Sequence, residues 1–299
     1  MSAGEHDPPG GGTSPDGLPP LREVIRAFDL SARKSLGQNF ILDLNLTRRI
    51  ACAAGSLEGR TVVEVGPGPG GLTRALLMEG AARVITVERD ERTRGALEMI
   101  AQRYPGKLEV HFGDALRADW PKLLGPAHGQ AVIVANLPYS VATLLLTGWL
   151  DTEPWPPWFN RMVLMFQKEV AERIVAPPGS KVYGRVSVLA QWRASPRIAL
   201  SVPREAFTPA PKVASAVVEL IPHKEPSPPC TPQSLARVTA AAFGQRRKML
   251  RSSLKQLVVE PEQLLEAVGI AGNLRAEDVS VKDFARLALT YERSTLQRA

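Results

Sequence analysis

From about residue 61 onward, the chain alternates short apolar runs with stretches of helical periodicity. The apolar runs have the length of buried strands and lie at 61–65, 83–87, 108–112, 131–135 and 162–166. The segments between them, such as 71–79 and 91–103, repeat apolar residues at the spacing of an amphipathic helix. This alternation predicts an open, mainly parallel sheet with right-handed helical crossovers.

Three further segments complete the predicted sheet. Residues 184–193 and 213–221 are rich in strand-forming residues, and a third run lies between them at 197–202. Antiparallel strands often form the edge of an otherwise parallel sheet. We therefore expect these segments to form such an edge.

Composition divides the chain into four parts. Residues 1–18 are rich in Gly and Pro, carry three acidic residues and no basic one, and are predicted to be a disordered tail. The sheet domain is expected at 19–222. Residues 223–232 contain four prolines and are predicted to be a linker. Residues 233–299 contain four helical patterns and predict a small all-helical domain.

The overall composition is that of a globular protein without a membrane span. Hydrophobic residues make up 44% and charged residues 22% of the chain, and no apolar run reaches 18 residues. The first 18 residues lack the features of a secretory or mitochondrial signal, which predicts a cytoplasmic protein. Cys52 and Cys230 lie far apart without metal-ligand spacing, so no metal site is predicted.

The charge balance favours a polyanionic partner. The formal net charge is +7, and the predicted tail contributes three of the acids. The rest of the chain is therefore close to +10. Such a basic surface is typical of proteins that bind nucleic acid.

The segment 64–71, Glu-Val-Gly-Pro-Gly-Pro-Gly-Gly, follows the first predicted strand and opens a helix. Three of its glycines match the G-x-G-x-x-G pattern of dinucleotide-binding proteins. A pyrophosphate, however, is held by backbone N–H groups, and Pro67 and Pro69 have none. The segment therefore favours a shaped cofactor wall over a phosphate cradle.

Polar residues follow the successive strands at nearly constant intervals. Glu88 comes 22 residues after Gly66, Asp114 follows 26 residues later, and Asn136 another 22. One strand-plus-helix unit has this length, so all four are expected at the carboxyl edge of the sheet, where ligands bind. Glu88 is placed to accept hydrogen bonds from ribose hydroxyls, and Asp114 from an adenine amino group.

The motif Asn136-Leu137-Pro138-Tyr139 stands directly after the apolar run at 131–135. The Asn136 amide oxygen and the Leu137 carbonyl can accept hydrogen bonds from an exocyclic NH2 group. Pro138 fixes the backbone so that the two acceptors converge, and Tyr139 offers a ring for stacking. The motif directs the lone pair of an amine toward an electrophile, which predicts an amino-group methyltransferase.

A basic segment lies in the predicted helical domain. Residues 231–259 carry six cationic residues and no acidic one. If the segment is helical, positions 247, 251 and 255 share one face. We expect phosphate binding with a steep dependence on salt, chiefly by these residues: Arg246, Arg247, Lys248, Arg251 and Lys255.

Taken together, these motifs resemble the ribosomal RNA adenine dimethyltransferases, and most closely their bacterial small-subunit branch. The matching segments are 34–40 (Lys-Ser-Leu-Gly-Gln-Asn-Phe), 64–71, Glu88, Asp114, 136–139, 207–213 (Phe-Thr-Pro-Ala-Pro-Lys-Val) and 243–248 (Phe-Gly-Gln-Arg-Arg-Lys). The resemblance implies an α/β fold, a Rossmann-like sheet of S-adenosylmethionine (SAM)-dependent methyltransferases with a small C-terminal helical domain.

The resemblance also implies ligands and residue roles. SAM is the expected methyl donor, and the residues expected to hold it are Asn39, Ile41, Gly66, Glu88, Asp114 and Asn136. Position 41 is usually Leu in such proteins, and Ile keeps its apolar character. Phe207 and Tyr139 are expected to clamp the two faces of the target base. The implied product is N6,N6-dimethyladenosine at two adjacent adenines in the 3′-terminal hairpin of 16S rRNA.

The expected partners are 16S rRNA and the assembling small ribosomal subunit, with the protein acting as a monomer. Three other interpretations stay open at this point. One is a methylase of large-subunit rRNA, and another is an RNA-binding assembly factor without catalytic activity. The third is an NAD-dependent oxidoreductase, which would share the glycine segment and Glu88 but would leave Asp114 and the motif at 136–139 unexplained.

Overall fold

The computed structural model describes residues 14–33, 36–125 and 129–296. The strands are β1 (Phe40–Ile41), β2 (Thr61–Val65), β3 (Arg83–Glu88), β4 (Leu108–Phe112), β5 (Ala131–Ala135), β6 (Phe159–Gln167), β7 (Ala194–Val202), β8 (Phe207–Thr208) and β9 (Ser215–Pro222). The helices are α1 (Leu21–Ala27), α2 (Leu44–Cys52), α3 (Gly71–Met78), α4 (Arg94–Arg103), α5 (Trp120–Leu124), α6 (Tyr139–Leu150), α7 (Lys168–Val175), α8 (Arg185–Arg193), α9 (Pro232–Gly244), α10 (Leu250–Ser253), α11 (Pro261–Val268) and α12 (Val281–Leu296).

Seven strands form the main sheet in the order β4-β3-β2-β5-β6-β9-β7. The strands from β4 to β6 are parallel, as their alternation with helices predicts. β9 runs antiparallel between β6 and β7, which confirms the predicted antiparallel edge. All five residues of β5 are buried, because helices cover both faces of the sheet. A separate two-stranded sheet pairs β1 with β8.

The strand predicted at 184–193 is wrong, because this segment forms α8. The Gly184 N–H donates to the Ser187 hydroxyl at 3.0 Å and starts the helix. Val188 and Trp192 lie four residues apart and are both buried in the apolar cluster of the C-terminal helices. Packing against those helices outweighs the strand propensity of Val186 and Val188, which local sequence alone favours.

The sheet domain begins earlier than residue 19. Residues 1–13 of the predicted tail lie outside the described residues, but Asp16 and Leu18 are buried. Both oxygens of the Asp16 carboxylate accept hydrogen bonds from the Arg74 guanidinium, at 2.5 and 2.6 Å, and neither side chain is exposed. Arg103 also donates to the Asp16 carbonyl at 2.8 Å. The end of the predicted tail is therefore part of the folded domain.

Four helices follow the proline-rich segment, and most of them lie where periodicity predicts. The exception is the segment at 248–258, where α10 spans only four residues and a 3-10 turn follows at Leu254–Gln256. Arg247 precedes the helix, so the predicted common face of positions 247, 251 and 255 is wrong. Within the described part of the chain, no helix is both long and apolar enough to cross a membrane.

Candidate active site and basic surface

One cavity lies at the carboxyl edge of the parallel strands and encloses about 1250 Å³ of empty space, part of it open to solvent. It is bounded by the ends of β2, β3 and β5, by the segment after β4 and by residues 36–41. It brings together nearly all the predicted site residues: Asn39, Ile41, Gly66, Glu88, Asp114, Asn136, Leu137, Pro138 and Tyr139. Lys34 and Ser35, which belong to the motif at 34–40, lie outside the described residues.

The three glycine N–H groups in the loop between β2 and α3 that follow or precede its prolines all donate hydrogen bonds within the protein. Gly66, Gly68 and Gly70 all have positive φ values, of 70°, 55° and 89°, which favour glycine. The Gly66 N–H donates to the Val87 carbonyl at 2.9 Å, and the Gly68 N–H donates to the Glu88 carboxylate at 2.9 Å. The Gly70 N–H closes a turn inside the loop. Since the two prolines between these glycines have no N–H, the loop is not a pyrophosphate cradle.

Glu88 ends β3 as a buried carboxylate facing the cavity. Its Oε1 accepts hydrogen bonds from the N–H groups of Arg89 and Asp90, both at 2.7 Å, and its Oε2 accepts from Gly68. Burial raises the pKa of Glu88, although these three N–H groups act in the opposite direction. A carboxylate offers about four acceptor positions. One acceptor position of Glu88 therefore stays available, and its use by a ligand hydroxyl stays a prediction.

Glu64 is a cavity residue to which sequence reasoning gave no role. Its carboxyl group is buried and accepts a hydrogen bond from the Thr73 hydroxyl at 2.6 Å. Burial, together with the nearby Glu88 carboxylate, raises the pKa of Glu64 to about 8. The available sequence signal was an acidic residue within a strand otherwise made of Thr and Val, directly before the glycine loop.

Acids outnumber bases around the cavity. Among the described residues that line it, Glu88 and Asp114 are acidic and Arg89 is basic, while the raised pKa of Glu64 keeps that carboxyl group largely uncharged at neutral pH. SAM carries a sulfonium and an ammonium group against a single carboxylate, whereas NAD carries two anionic phosphates. The charges that line the cavity therefore fit SAM and disfavour NAD. The glycine loop agrees, because its N–H groups already donate hydrogen bonds within the protein.

The buried Glu64 predicts a pH-dependent stability. The folded-state pKa, about 8, lies above the ordinary value of 4.5, so the unfolded chain loses this proton first as pH rises. The stability that the protonated form contributes is complete below about pH 4.5 and is lost progressively up to about pH 8. Glu64→Gln removes this titration. The free energy of unfolding of the variant, relative to wild type, is therefore expected to rise between pH 5 and pH 8, by at most about 1.4 kcal/mol per pH unit, and its melting temperature to rise with it.

The control for this pH series is Glu58→Gln, which changes a carboxyl group outside the cavity. Its melting temperature should keep a constant offset from wild type over the same range. A constant offset for Glu64→Gln would instead mean that Glu64 is ionised in the folded protein at pH 6, against the proposed effect of its burial.

Asp114 has a local structural role beside its place in the cavity. The exposed Asp114 carboxylate accepts a hydrogen bond from the Leu116 N–H at 3.0 Å and caps a 3-10 helix at Ala115–Arg117. A capping aspartate uses one acceptor position of one oxygen. The cap orients the side chain and leaves other acceptor positions of the carboxylate available.

The four residues of the motif after β5 all line the cavity. The Asn136 Nδ2 donates to the Asn39 carbonyl at 3.3 Å, so the amide oxygen is directed to the opposite side. The Leu137 side chain is buried and anchors the backbone that carries its carbonyl. Pro138 caps α6 with its carbonyl, which accepts from the first turn of the helix. Tyr139 is the first residue of α6 and its ring lines the cavity.

The structure does not bring Phe207 to the cavity. Phe207 is 4% exposed and packs in the apolar core, in the strand β8 that pairs residue by residue with β1. Its partner across the ladder is Ile41, which does line the cavity. The predicted clamp on the second face of the base is therefore not present in this conformation, and Phe207 instead supports the cavity wall.

The predicted basic residues have different environments. Arg246 is partly buried, forms an ion pair with Glu277 at 2.9 Å and donates to the Lys181 carbonyl at 2.6 Å. It ties the helical domain to the segment before α8, which a count of charges within 231–259 could not reveal. The other four predicted residues are exposed: Arg247, Lys248, Arg251 and Lys255.

A mainly parallel α/β sheet with a cavity at its carboxyl edge, lined by Glu88, Asp114 and the motif at 136–139, fits one class of protein: a SAM-dependent methyltransferase. Within that class the profile of the ribosomal RNA adenine dimethylases matches residues 29–293. The chain belongs to this family.

Similar proteins agree with this assignment. The chain is 62% identical over 276 residues to Ribosomal RNA small subunit methyltransferase A of Xanthobacter autotrophicus, covering 92% of this chain and 95% of the relative. The protein of the same name from Azorhizobium caulinodans is 60% identical over 279 residues, covering 93% and 95%.

Two solved structures are also similar. A dimethyladenosine transferase from Plasmodium falciparum matches with a TM-score of 0.73 and 26% identity, over 85% of this chain and 97% of that chain. The 23S rRNA methyltransferase ErmE matches with a TM-score of 0.64 and 24% identity, over 85% and 100%, and this likeness shows the shared fold alone.

Proposed function

We propose that the protein transfers methyl groups from SAM to N6 of two adjacent adenines in the 3′-terminal hairpin of 16S rRNA, forming dimethyladenosine during small-subunit biogenesis. The observation that carries the proposal is the orientation of Asn136, whose amide oxygen is turned away from Asn39 in the cavity that also holds Glu88. Family membership and the names of the relatives from Xanthobacter and Azorhizobium support the same substrate.

The residues proposed to hold SAM all line the same cavity. Glu88 would accept from the ribose and Asp114 from the adenine amino group, while Gly66 allows close approach and Ile41 supplies apolar contact. Asn39 and Asn136 would act together, because the hydrogen bond between them fixes both at the end of β5. When bound, SAM supplies the electrophilic methyl group.

The chain's own contribution to the reaction is orientation. Adenine N6 is a poor nucleophile because its lone pair is delocalised into the ring. The Asn136 Oδ1 and the Leu137 carbonyl would each accept one amino hydrogen and so direct the lone pair out of the ring plane. Tyr139 would stack on the base, which is worth about 1–3 kcal/mol. Correct alignment of two reactants can lower a barrier by roughly 7–11 kcal/mol.

Methyl transfer from labelled SAM to undermethylated small ribosomal subunits tests the proposal, followed by nucleoside analysis of the rRNA. We expect dimethyladenosine in 16S rRNA. Label in large-subunit rRNA alone would favour the large-subunit methylase. Salt-sensitive binding to small subunits without any transfer would favour an assembly factor without catalytic activity.

Four exposed basic residues of the C-terminal domain are proposed to bind RNA phosphates: Arg247, Lys248, Arg251 and Lys255. Arg251→Ala is expected to weaken binding to small-subunit rRNA and to reduce the slope of log affinity against log salt by about 0.7–0.9, the value for one phosphate contact. Arg246→Ala is expected to change stability more than the slope, because Arg246 is already paired with Glu277. A salt titration of the binding constant measures both effects.

Arg22→Ala is the control for this titration, since Arg22 is exposed on α1 in the other domain. Its slope should equal that of the wild type. An unchanged slope for Arg251→Ala would exclude this surface from the phosphate contacts.

A further inference from the structure

The side chain of Tyr139 is held by a residue that is distant in sequence. Its hydroxyl shares a 2.6 Å hydrogen bond with the Ser215 hydroxyl, 76 residues further along the chain. Tyr139 is half-buried and lines the cavity, whereas Ser215 is 1% exposed and does not line it. Ser215 therefore acts on the cavity only through the tyrosine.

Ser215 is a rigid anchor because of its place in the sheet. It is the first residue of β9, and its backbone pairs with Gln167 of β6 on one side and with Val202 of β7 on the other. The neighbouring Ala214 carbonyl also accepts a hydrogen bond from Lys168 at 2.9 Å. A hydroxyl on such a doubly paired strand has little freedom to follow the movements of a ligand.

The Tyr139 ring is consequently fixed at both ends. Its Cα belongs to the first turn of α6, directly after the rigid Pro138, and its hydroxyl is bound to Ser215. A tyrosine side chain has two rotatable bonds before the ring. The hydroxyl oxygen lies on the axis of the second of these bonds, so holding it fixes the first rotation and with it the position of the ring before any base arrives.

We propose that Ser215 is a positioning residue for the base, and that its hold on Tyr139 matters more for the second methyl transfer than for the first. This inference rests on the proposed function. An unmodified adenine presents two amino hydrogens, one for Asn136 and one for the Leu137 carbonyl. A monomethylated adenine presents one, so its orientation depends to a greater degree on the tyrosine ring.

The test compares two variants, Ser215→Ala and Tyr139→Phe. Each removes one of the two hydroxyl groups that form the hydrogen bond. The reaction is followed in time with undermethylated small subunits, and monomethyladenosine and dimethyladenosine are quantified separately. For both variants we expect the second transfer to slow by about 3- to 10-fold, the effect of one hydrogen bond between uncharged groups, and the first transfer to slow less. Monomethyladenosine should therefore accumulate in both.

Three further measurements distinguish a positioning role of Ser215 from a general disturbance of the protein's structure. SAM affinity, measured by calorimetry without RNA, should stay at the wild-type value in both variants. The double variant should have the product ratio of either single variant, since both lose the same bond. Ser201→Ala is the matched control, because Ser201 is an exposed serine on the neighbouring strand β7, and it should leave the product ratio unchanged.

Two outcomes overturn the inference, and they are distinguishable. If the wild-type protein dimethylates 16S rRNA and both variants keep its ratio of products, the positioning role of Ser215 is refuted while the proposed function stands. If the wild-type protein methylates no adenine at all, the proposed function fails and the role of Ser215 fails with it. Should Ser215→Ala fold poorly, Tyr139→Phe alone decides, since it leaves the buried strand intact.

Discussion

Asn136→Ala is expected to reduce methyl transfer at least about 100-fold, chiefly through kcat. The variant removes the amide oxygen that is turned away from the Asn39 carbonyl, and with it one of the two proposed acceptors for the adenine amino group. A displacement of the reacting group by about 1 Å can by itself cost roughly 100-fold in rate. Single-turnover transfer from labelled SAM to undermethylated small subunits measures this effect separately from product release.

Asn45→Ala is the control, since Asn45 is an exposed asparagine on α2 that does not line the cavity. It should have wild-type activity. Binding of SAM to Asn136→Ala should be weakened less than the rate falls, because Glu88 and the glycine loop remain in place. A variant that keeps more than a tenth of the wild-type rate would show that the Leu137 carbonyl and the Tyr139 ring orient the base without the amide.

The central sheet and most of the candidate site could be predicted, because the information is local. The strands β2 to β5 are short and mainly apolar, with five or six residues each, and the residues at or just after their ends must lie at the carboxyl edge. Glu88, Asp114 and Asn136 obey this rule, and the structure places all three in one cavity. The interval of 22 to 26 residues between them is a property of the strand-plus-helix unit and needs no tertiary knowledge.

What could not be predicted depends on contacts between distant segments. The segment 184–193 is a helix because the C-terminal helices cover Val188 and Trp192, which local strand propensity cannot register. Phe207 was expected at the base and lies in the core, because β8 pairs with β1 and turns the ring inward. Arg246 looked free within its own segment and is paired by Glu277, 31 residues away.

The start of the sheet domain could not be predicted for the same reason. Asp16 stands in a segment whose composition is typical of disorder, and its partner Arg74 stands in an otherwise apolar helix. The sequence does not show that these two residues pair, because 58 positions separate them. A single charge inside the apolar surface of α3 was the signal that some acid elsewhere had to compensate it.

Asp16→Ala is therefore expected to destabilise the fold by about 3–5 kcal/mol, the cost of leaving one partner of a buried ion pair without compensation. Arg74 is fully buried, and after the substitution it keeps only its hydrogen bond to the Pro19 carbonyl, at 2.9 Å. The free energy of unfolding from urea denaturation measures the loss. Methyl transfer at low temperature should be affected much less, because Asp16 does not line the cavity.

Two comparisons decide whether the uncompensated charge of buried Arg74 causes the loss of stability. Glu23→Ala removes an exposed carboxylate from the same N-terminal segment and should change stability by less than about 0.5 kcal/mol. The double variant Asp16→Leu with Arg74→Met replaces the pair by apolar side chains and should recover most of the loss, since such exchanges are often neutral. If the double variant is as unstable as Asp16→Ala, the lost contribution lies in the hydrogen bond that the Asp16 carboxylate accepts from the Leu18 N–H at 3.3 Å and not in the ion pair.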